Sequence, residues 1–372
     1  MPPINVMLKP SSGMCNMSCD YCFYCDEMQK RKQELFGFMS EETLKNVIRR
    51  TMLPAEKAIS YVFQGGEPTL RGIEFFEKAF TYQRQYNKHN ITVQNSVQTN
   101  GYALDANWCR LFRDNHVLVG LSLDGTKEIH DSYRHGKDGQ GTYDKVMAAV
   151  SLLDRYHVDY NIVTVVNKKV ASNIEDIYQA YKKRGWKYQQ YIACLDPLDE
   201  QHGEKPYSLT PDLYGRFLIQ LFELWHEDWK RGSQPYIRQF ENFVMLMMGS
   251  PAEACDQNGK CGIQNVVEAD GSVYPCDFYM MDSWKLGNFN TNRLEQIDGK
   301  RRELGFVERS LELEKDCRKC RHFHICRGGC FRQRDQMEAS GMYKNYYCES
   351  YQMFFDACKE KLEKMVKSQK NR

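Results

Sequence analysis

The sequence has no feature of a membrane-spanning, secreted or nucleic-acid-binding chain. No apolar run approaches the roughly 20 residues that a bilayer-spanning helix needs. Charge of one sign is also missing: 51 basic residues stand against 49 acidic ones, a formal net charge of +2. A nucleic-acid or membrane-surface binder would need a basic footprint instead. The first residues, Met1-Pro2-Pro3-Ile4-Asn5-Val6, lack the charged, apolar and cleavage regions of a signal peptide. A cytoplasmic protein with no membrane and no nucleic-acid partner is expected. Internal repeats and low-complexity tracts are missing too. What remains is an ordinary globular composition, 42% hydrophobic and 27% charged, over 372 residues. That length allows a large core and two or three domains.

Cysteine is abundant, with fifteen in the chain. Disulfides are disfavoured in the cytosol, so clustered cysteines there point to metal or redox chemistry. One group is Cys15, Cys19, Cys22 and Cys25; another runs from Cys255 to Cys348; Cys109, Cys194 and Cys358 stand apart. A metal-rich head and tail flank a metal-poor body.

From residue 4 to about 197, short apolar runs alternate with amphipathic stretches. The expected strands are Ile4–Lys9, Ile59–Gln64, Ile91–Gln98, Val117–Leu123, Tyr160–Val166 and Tyr188–Leu195. The expected helices are Glu41–Met52, Phe75–Tyr86, Asn107–Asp114, Tyr143–Tyr156 and Ile174–Arg184. Such alternation implies βαβ units, a parallel sheet and right-handed crossovers. Six units fall short of the eight that close a full barrel, so the α/β fold class expected is a partial (β/α)6 barrel. Its active site belongs at the C-terminal ends of the strands. Cys15–Cys22, Gly65-Gly66-Glu67-Pro68, Gln98-Thr99-Asn100-Gly101, Ser122-Leu123-Asp124-Gly125 and Cys194-Leu195-Asp196-Pro197 all fall at such ends. Beyond the polar stretch 199–205, Pro211–Arg231 reads as a long helix whose apolar face belongs to the core. Residues 250–348 show little periodicity and many Gly, Cys and turn signals, as in a small loop-rich domain held by metal. Asp270-Gly271 marks a hairpin within it. A last helix is expected at Tyr351–Val366.

Cys15-x3-Cys19-x2-Cys22 offers three thiolates from one loop. Three ligands on a four-iron cubane leave one iron open, which suits a cofactor bound at that iron. The competing reading is a zinc site completed by Cys25. Cys15–Cys22, with Tyr21 before the third cysteine, and the in-register Gly65-Gly66-Glu67-Pro68 resemble the signatures of the radical S-adenosylmethionine (SAM) superfamily. That resemblance implies a SAM-cleaving 4Fe–4S cluster on Cys15, Cys19 and Cys22.

The tail, Cys255-x5-Cys261-x9-Gly271-x4-Cys276 followed by Cys317-x2-Cys320-x5-Cys326-x3-Cys330 and Cys348, holds eight thiolates, enough for two four-cysteine sites. Spacing alone leaves two structural zinc ribbons open. The tail resembles the SPASM domain, which implies two auxiliary 4Fe–4S clusters. Cys255, Cys261, Cys276 and Cys330 would hold the first, and Cys317, Cys320, Cys326 and Cys348 the second. Three 4Fe–4S clusters and SAM are then the expected cofactors. Full protein ligation of the auxiliary pair implies electron transfer.

Over nearly its whole length the chain resembles the anaerobic sulfatase-maturating enzymes. The resemblance is carried by Met1-Pro2-Pro3, Cys22-Phe23-Tyr24, Phe63–Leu70, Ser96–Gly101, Leu195–Leu198 and Tyr274-Pro275-Cys276-Asp277-Phe278-Tyr279. It implies oxidation of a cysteine or serine of a sulfatase to Cα-formylglycine, with Asp277 as proton acceptor. It also implies SAM contacts from Tyr21, Gly66, Ser122, Arg134 and Leu195, with Arg134 suited to the SAM carboxylate. Tyr24 and Gln64 would shape the substrate site, and a flavodoxin- or ferredoxin-type protein would donate electrons. The expected division is a radical SAM partial barrel with connecting helix over 1–235, a SPASM auxiliary-cluster domain over 236–348, and a C-terminal helix and tail over 349–372. A SPASM maturase that crosslinks a ribosomal peptide is the nearest alternative, although the catalytic loop begins by residue 15, leaving no room for a preceding peptide-recognition domain. A non-enzymatic zinc-ribbon scaffold is an alternative of another class.

Overall fold

The computed structural model describes residues 3–198, 200–334, 336–337 and 343–370. Met1 and Pro2 of the N-terminal segment, and Asp199 of the polar stretch, lie outside the described residues. The contacts divide the chain into two compact units interleaved in sequence. The first comprises Met1–Leu123, His130–Asn161 and Ile263–Phe306; the second comprises Asp124–Ile129, Ile162–Gly262 and Val307–Arg372.

In the first unit four parallel strands form in chain order, Ile4–Leu8, Ala58–Phe63, Thr92–Thr99 and Val117–Ser122. Ala58–Phe63 alternates half-buried and fully buried residues, the period-two pattern of a pleated strand covered unequally on its two faces. The expected strand at Ile91–Gln98 starts one residue later. The Ile91 amide donates to Asn87 Oδ1 at 2.9 Å, so it serves the preceding loop and not the ladder. Helix Glu41–Met52 starts where Ser40 caps the Thr43 amide, with Glu41 and Glu42 in the first turn and Arg49 and Arg50 in the last. Its Leu44, Val47, Ile48 and Thr51 form one buried stripe. Asp105 caps Ala106–Asp114 in the same way, accepting from the amides of Asn107 and Trp108.

The periodicity does not reveal what continues this sheet. The three-residue strand Asn265–Val267 pairs in parallel with Ile4–Leu8, matching Val6 to Asn265 and Leu8 to Val267. The expected hairpin then returns through Ser272–Tyr274, followed by Gly287–Asn288, both antiparallel. Residues from the far end of the sequence thus belong to the same sheet as the first strand.

The second unit contains most of Tyr160–Val166, which pairs in parallel with Tyr188–Ala193, itself parallel to Tyr236–Ile237. Helix Pro211–Lys230 buries Phe217, Leu218, Leu221, Phe222 and Trp225, as its pattern requires. Phe222 meets Phe240 and Phe354 with ring centroids 5.2 and 5.6 Å apart. Helix Arg238–Met247 escapes the sequence reading because no side chain caps its start. The last helix runs from Cys348 to Lys370, longer than its apolar stripe alone indicates. Among the described residues no helix is long and apolar enough to cross a membrane.

One buried ion pair ties the segment after the cysteine loop to the hairpin. Arg31 Nη1 donates to Glu268 Oε2 at 2.8 Å, and Arg31 Nη2 donates to the Glu34 carbonyl at 2.7 Å. Glu268 is fully buried and its Oε1 also accepts from the Ala269 amide. Removing one member of such a pair strands the other charge. Arg31→Met should therefore cost about 3–5 kcal/mol, read as a lowered Tm, and Arg31→Met/Glu268→Leu should recover most of the loss.

Candidate active site

The first unit builds its site on loops that follow strand ends. The cysteine loop folds back on itself through Ser12 N to Lys9 O and Met14 N to Ser11 O. It then lies directly under the Gly65-Gly66 turn. Gly66 adopts φ +46°, and a Cβ there would stand 2.1 Å from the Met14 carbonyl oxygen. That oxygen accepts from the Glu67 amide at 2.8 Å, so the approach needs glycine.

Glu67 is fully buried, and burial raises its carboxyl above the usual range. Four donors offset that cost. Oε1 accepts from the Thr69 amide, the Thr69 hydroxyl and the Thr99 hydroxyl at 3.1, 2.7 and 2.8 Å, while Oε2 accepts from the Asn100 amide at 2.8 Å. The sequence shows Glu67 only as part of a turn motif. The structure makes it the bolt between two strand-end loops.

Within the cysteine loop, Met17–Cys19 pairs antiparallel with Arg134–Gly136, placing Cys19 opposite Arg134. The Arg134 guanidinium lies 5.4 Å from the Tyr21 ring centroid, and its Nη1 is 4.0 Å from Cys19 Sγ. Two expected SAM contacts, Tyr21 and Arg134, are thereby brought together beside Cys19. Cys15, Cys19 and Cys22 are all half-buried. Burial pushes the Cys15 thiol up to about 11. The Cys25 thiol, hydrogen-bonded to Cys22, holds Cys22 below its ordinary value. Ser122, also in this unit, accepts from Gln98 Nε2 at 3.0 Å. Leu195 belongs to the second unit, just beyond Tyr188–Ala193.

The clearest constellation surrounds Asp277, which follows Cys276 beyond the hairpin. Its carboxylate is buried. Oδ1 pairs with Lys9 Nζ at 2.6 Å, and Oδ2 accepts from the Tyr24 hydroxyl at 2.7 Å and from Gln64 Nε2 at 3.0 Å. Gln64 Nε2 also donates to Tyr24 Oη at 2.8 Å, and the Lys9 ammonium sits 3.9 Å from the Tyr24 ring centroid. Burial, with the neighbouring Asp277 charge, raises the Tyr24 phenol well above its usual value and keeps it a donor. Asp277, Tyr24 and Gln64, far apart in sequence, meet here. Lys9 is the member that sequence reasoning missed; its only signal was its place at the end of the first strand.

The eight cysteines expected to hold auxiliary clusters divide between the units, with Cys276 in the first and the other seven in the second. Cys317, Cys320, Cys326 and Cys348 line one cavity of about 190 Å³ with His322, Phe323 and Tyr351. Among the described residues no three His, Cys, Asp or Glu side chains converge at single-ion spacing. Burial pushes Cys326 and Cys330 up to about 12; for Cys330 the charges of Asp256, Cys255 and Cys261 add to it.

A sequence model of the radical SAM superfamily matches residues 10–181, and one of the SPASM iron–sulfur cluster-binding domain matches residues 260–321. A cysteine-type anaerobic sulfatase-maturating enzyme of Clostridium perfringens is 41% identical, over 96% of this chain and 96% of its own. The chain belongs to the anaerobic sulfatase-maturating enzymes. A serine-type enzyme of Bacteroides thetaiotaomicron is 30% identical over 95% of this chain and 89% of its own. The solved structure of native anSMEcpe with bound AdoMet and Cp18Cys peptide superposes with a TM-score of 0.93 at 40% identity, covering 99% of each chain. Membership makes the protein a radical SAM enzyme with a C-terminal SPASM domain and sets aside the zinc-ribbon scaffold.

Glu67→Gln tests the bolt. The substituted amide must turn its NH2 either toward the Asn100 amide or toward the three donors at Oε1. Either mismatch should cost about 1–3 kcal/mol, seen as a lower Tm and as faster amide exchange at Asn100 and Gly101.

Proposed function

We propose that this enzyme oxidises a cysteine of a sulfatase polypeptide to Cα-formylglycine without oxygen. The observation that carries the reading is the buried Asp277 carboxylate, charge-matched by Lys9 and fixed by Tyr24 and Gln64. The choice of cysteine is supported by identity, 41% to a cysteine-type relative against 30% to a serine-type one. The Cp18Cys peptide bound to anSMEcpe supports it further.

In this reading Cys15, Cys19 and Cys22 would hold a 4Fe–4S cluster beside SAM. Cys255, Cys261, Cys276 and Cys330 would hold a second cluster, and Cys317, Cys320, Cys326 and Cys348 a third. When bound, SAM and the first cluster would supply the radical chemistry that removes a hydrogen atom from the substrate β-carbon, and the auxiliary clusters would supply the acceptor for the second electron. A flavodoxin- or ferredoxin-type protein delivers the reducing electron.

The chain's own residues bind, orient and manage a proton. Arg134 offers its guanidinium to the SAM carboxylate while its backbone holds Cys19, and Tyr21, Gly66, Ser122 and Leu195 complete that pocket. Asp277 accepts the substrate thiol proton. Its Oδ2 already accepts from Tyr24 and Gln64, and its Oδ1 pairs with Lys9. The buried Lys9 ammonium stands 2.6 Å from that oxygen and holds the carboxylate in place. Tyr24 and Gln64 hold its plane and border the substrate. The side chain gives up one hydrogen atom, one proton and one electron in all. Water then replaces the sulfur, and hydrogen sulfide leaves.

The test is anaerobic incubation of the reconstituted enzyme with SAM, reductant and a Cys-x-Pro-x-Arg or Ser-x-Pro-x-Arg peptide, followed by mass spectrometry. The cysteine peptide should gain the formylglycine mass faster than the serine peptide. A crosslinked mass would favour the ribosomal-peptide maturase. Asp277→Asn should cut product by about 100- to 10,000-fold while 5′-deoxyadenosine still accumulates, and unimpaired product would refute the base assignment.

A further inference from the structure

Asn100 follows the strand Thr92–Thr99 and is buried. Its backbone amide is held by Glu67 Oε2. Its Oδ1 accepts from the Tyr102 amide at 2.9 Å, which fixes the side-chain amide's orientation. Nδ2 must then face the cysteine loop. It lies 2.8 Å from Asn16 Oδ1 and 3.6 Å from Cys15 Sγ, so its two hydrogens have one partner each. The Met17 amide, 3.4 Å from the same sulfur, is a second N–H donor to it.

An Asx turn accounts for the Oδ1 contact alone, and an aspartate would make that turn equally well. The two Nδ2 contacts, to Asn16 Oδ1 and to the Cys15 sulfur, are what an aspartate could not make. Hydrogen bonds to cluster sulfurs draw off negative charge and favour the reduced, more negative state, raising the potential.

We propose that Asn100 is a redox-positioning residue of the N-terminal cluster, donating through Nδ2 to the Cys15 sulfur and easing the reduction that precedes SAM cleavage. The proposal rests on the reading of Cys15, Cys19 and Cys22 as cluster ligands. Glu67 acts on it indirectly, by fixing the backbone from which the amide reaches.

Two variants separate this role from a structural one. Asn100→Asp keeps the Tyr102 turn and loses the donor; Asn100→Leu keeps the approximate volume and loses both. Each is reconstituted anaerobically as the full chain, and iron and sulfide are counted. The paramagnetic signal that responds to added SAM is then titrated against potential. Iron-replete variants should show the reduced-to-oxidised ratio at a fixed poise falling about tenfold, which for a one-electron couple is about 59 mV to lower potential. An unchanged midpoint in an iron-replete variant overturns the proposal, as does cluster loss in both variants, which would make the role structural. A wild-type chain that takes up no iron and sulfide would instead refute the cluster reading itself.

Discussion

A carboxylate shut away from water needs a matching positive charge close by, and the Asp277–Lys9 pair is the interaction on which the rest of the proposed site depends. The two residues are 268 positions apart in sequence. They meet because Ile4–Leu8 pairs in parallel with Asn265–Val267, a ladder extended when Lys9 N donates to Val267 O at 2.9 Å. One residue of register slip would turn Lys9 to the other face of the sheet and leave Asp277 without its partner. Gly65 belongs to the same constraint. A Cβ there would lie 2.7 Å from the Lys9 stem, so the turn that carries Gly66 toward the cysteine loop also makes room for the lysine.

The cysteine loop is positioned by its surroundings more than by its own turns. Gly66 and the Glu67 amide cover Met14 on one side, and the Arg134–Gly136 strand pairs with Met17–Cys19 on the other. Glu67 then fixes the Asn100 backbone, and Asn100 reaches back to Asn16 and Cys15. Two strand ends and one short paired strand therefore bear on one short loop. A loop that must present three sulfurs at fixed separations gains from such support, because a cluster cannot pull distant ligands together without straining them.

Much of this was legible in the sequence. Strands such as Val117–Ser122 and Tyr160–Val166 are rich in valine and short enough to mark themselves, and Ser40 and Asp105 announce their helices by capping. The cysteine spacing showed the metal chemistry, and resemblance was needed to give Asp277 a role. Long-range pairing was not legible. Asn265–Val267 is three residues long and wholly buried, so it lacks the alternation that would show which strand it joins. Helix Leu294–Leu304 was hidden by Gly299 and by a run of charges. Lys9 resembled any lysine at a strand end, where the ordinary expectation is an ammonium reaching into water. Its role depends on a partner that only the fold supplies.

The second unit applies the same electrostatic rule with the opposite sign. Around Asp277 the protein supplies the cation that makes a buried anion tolerable. Around Cys317, Cys320, Cys326 and Cys348, burial is the leading reason that Cys317, Cys326 and Cys348 resist ionisation, and the neighbouring sulfurs raise them further. Under the proposed ligation a positive core between them would make the thiolates favourable, and ligation and local folding would be coupled. The coupling extends beyond the loops. Cys348 opens the last helix, and six residues on, Phe354 and Phe355 of that helix pack against Phe243. The Cys348 sulfur and the aromatic core are thereby joined by less than two helical turns. The cavity lined by the four cysteines thus gains rigidity from a helix packed on that core.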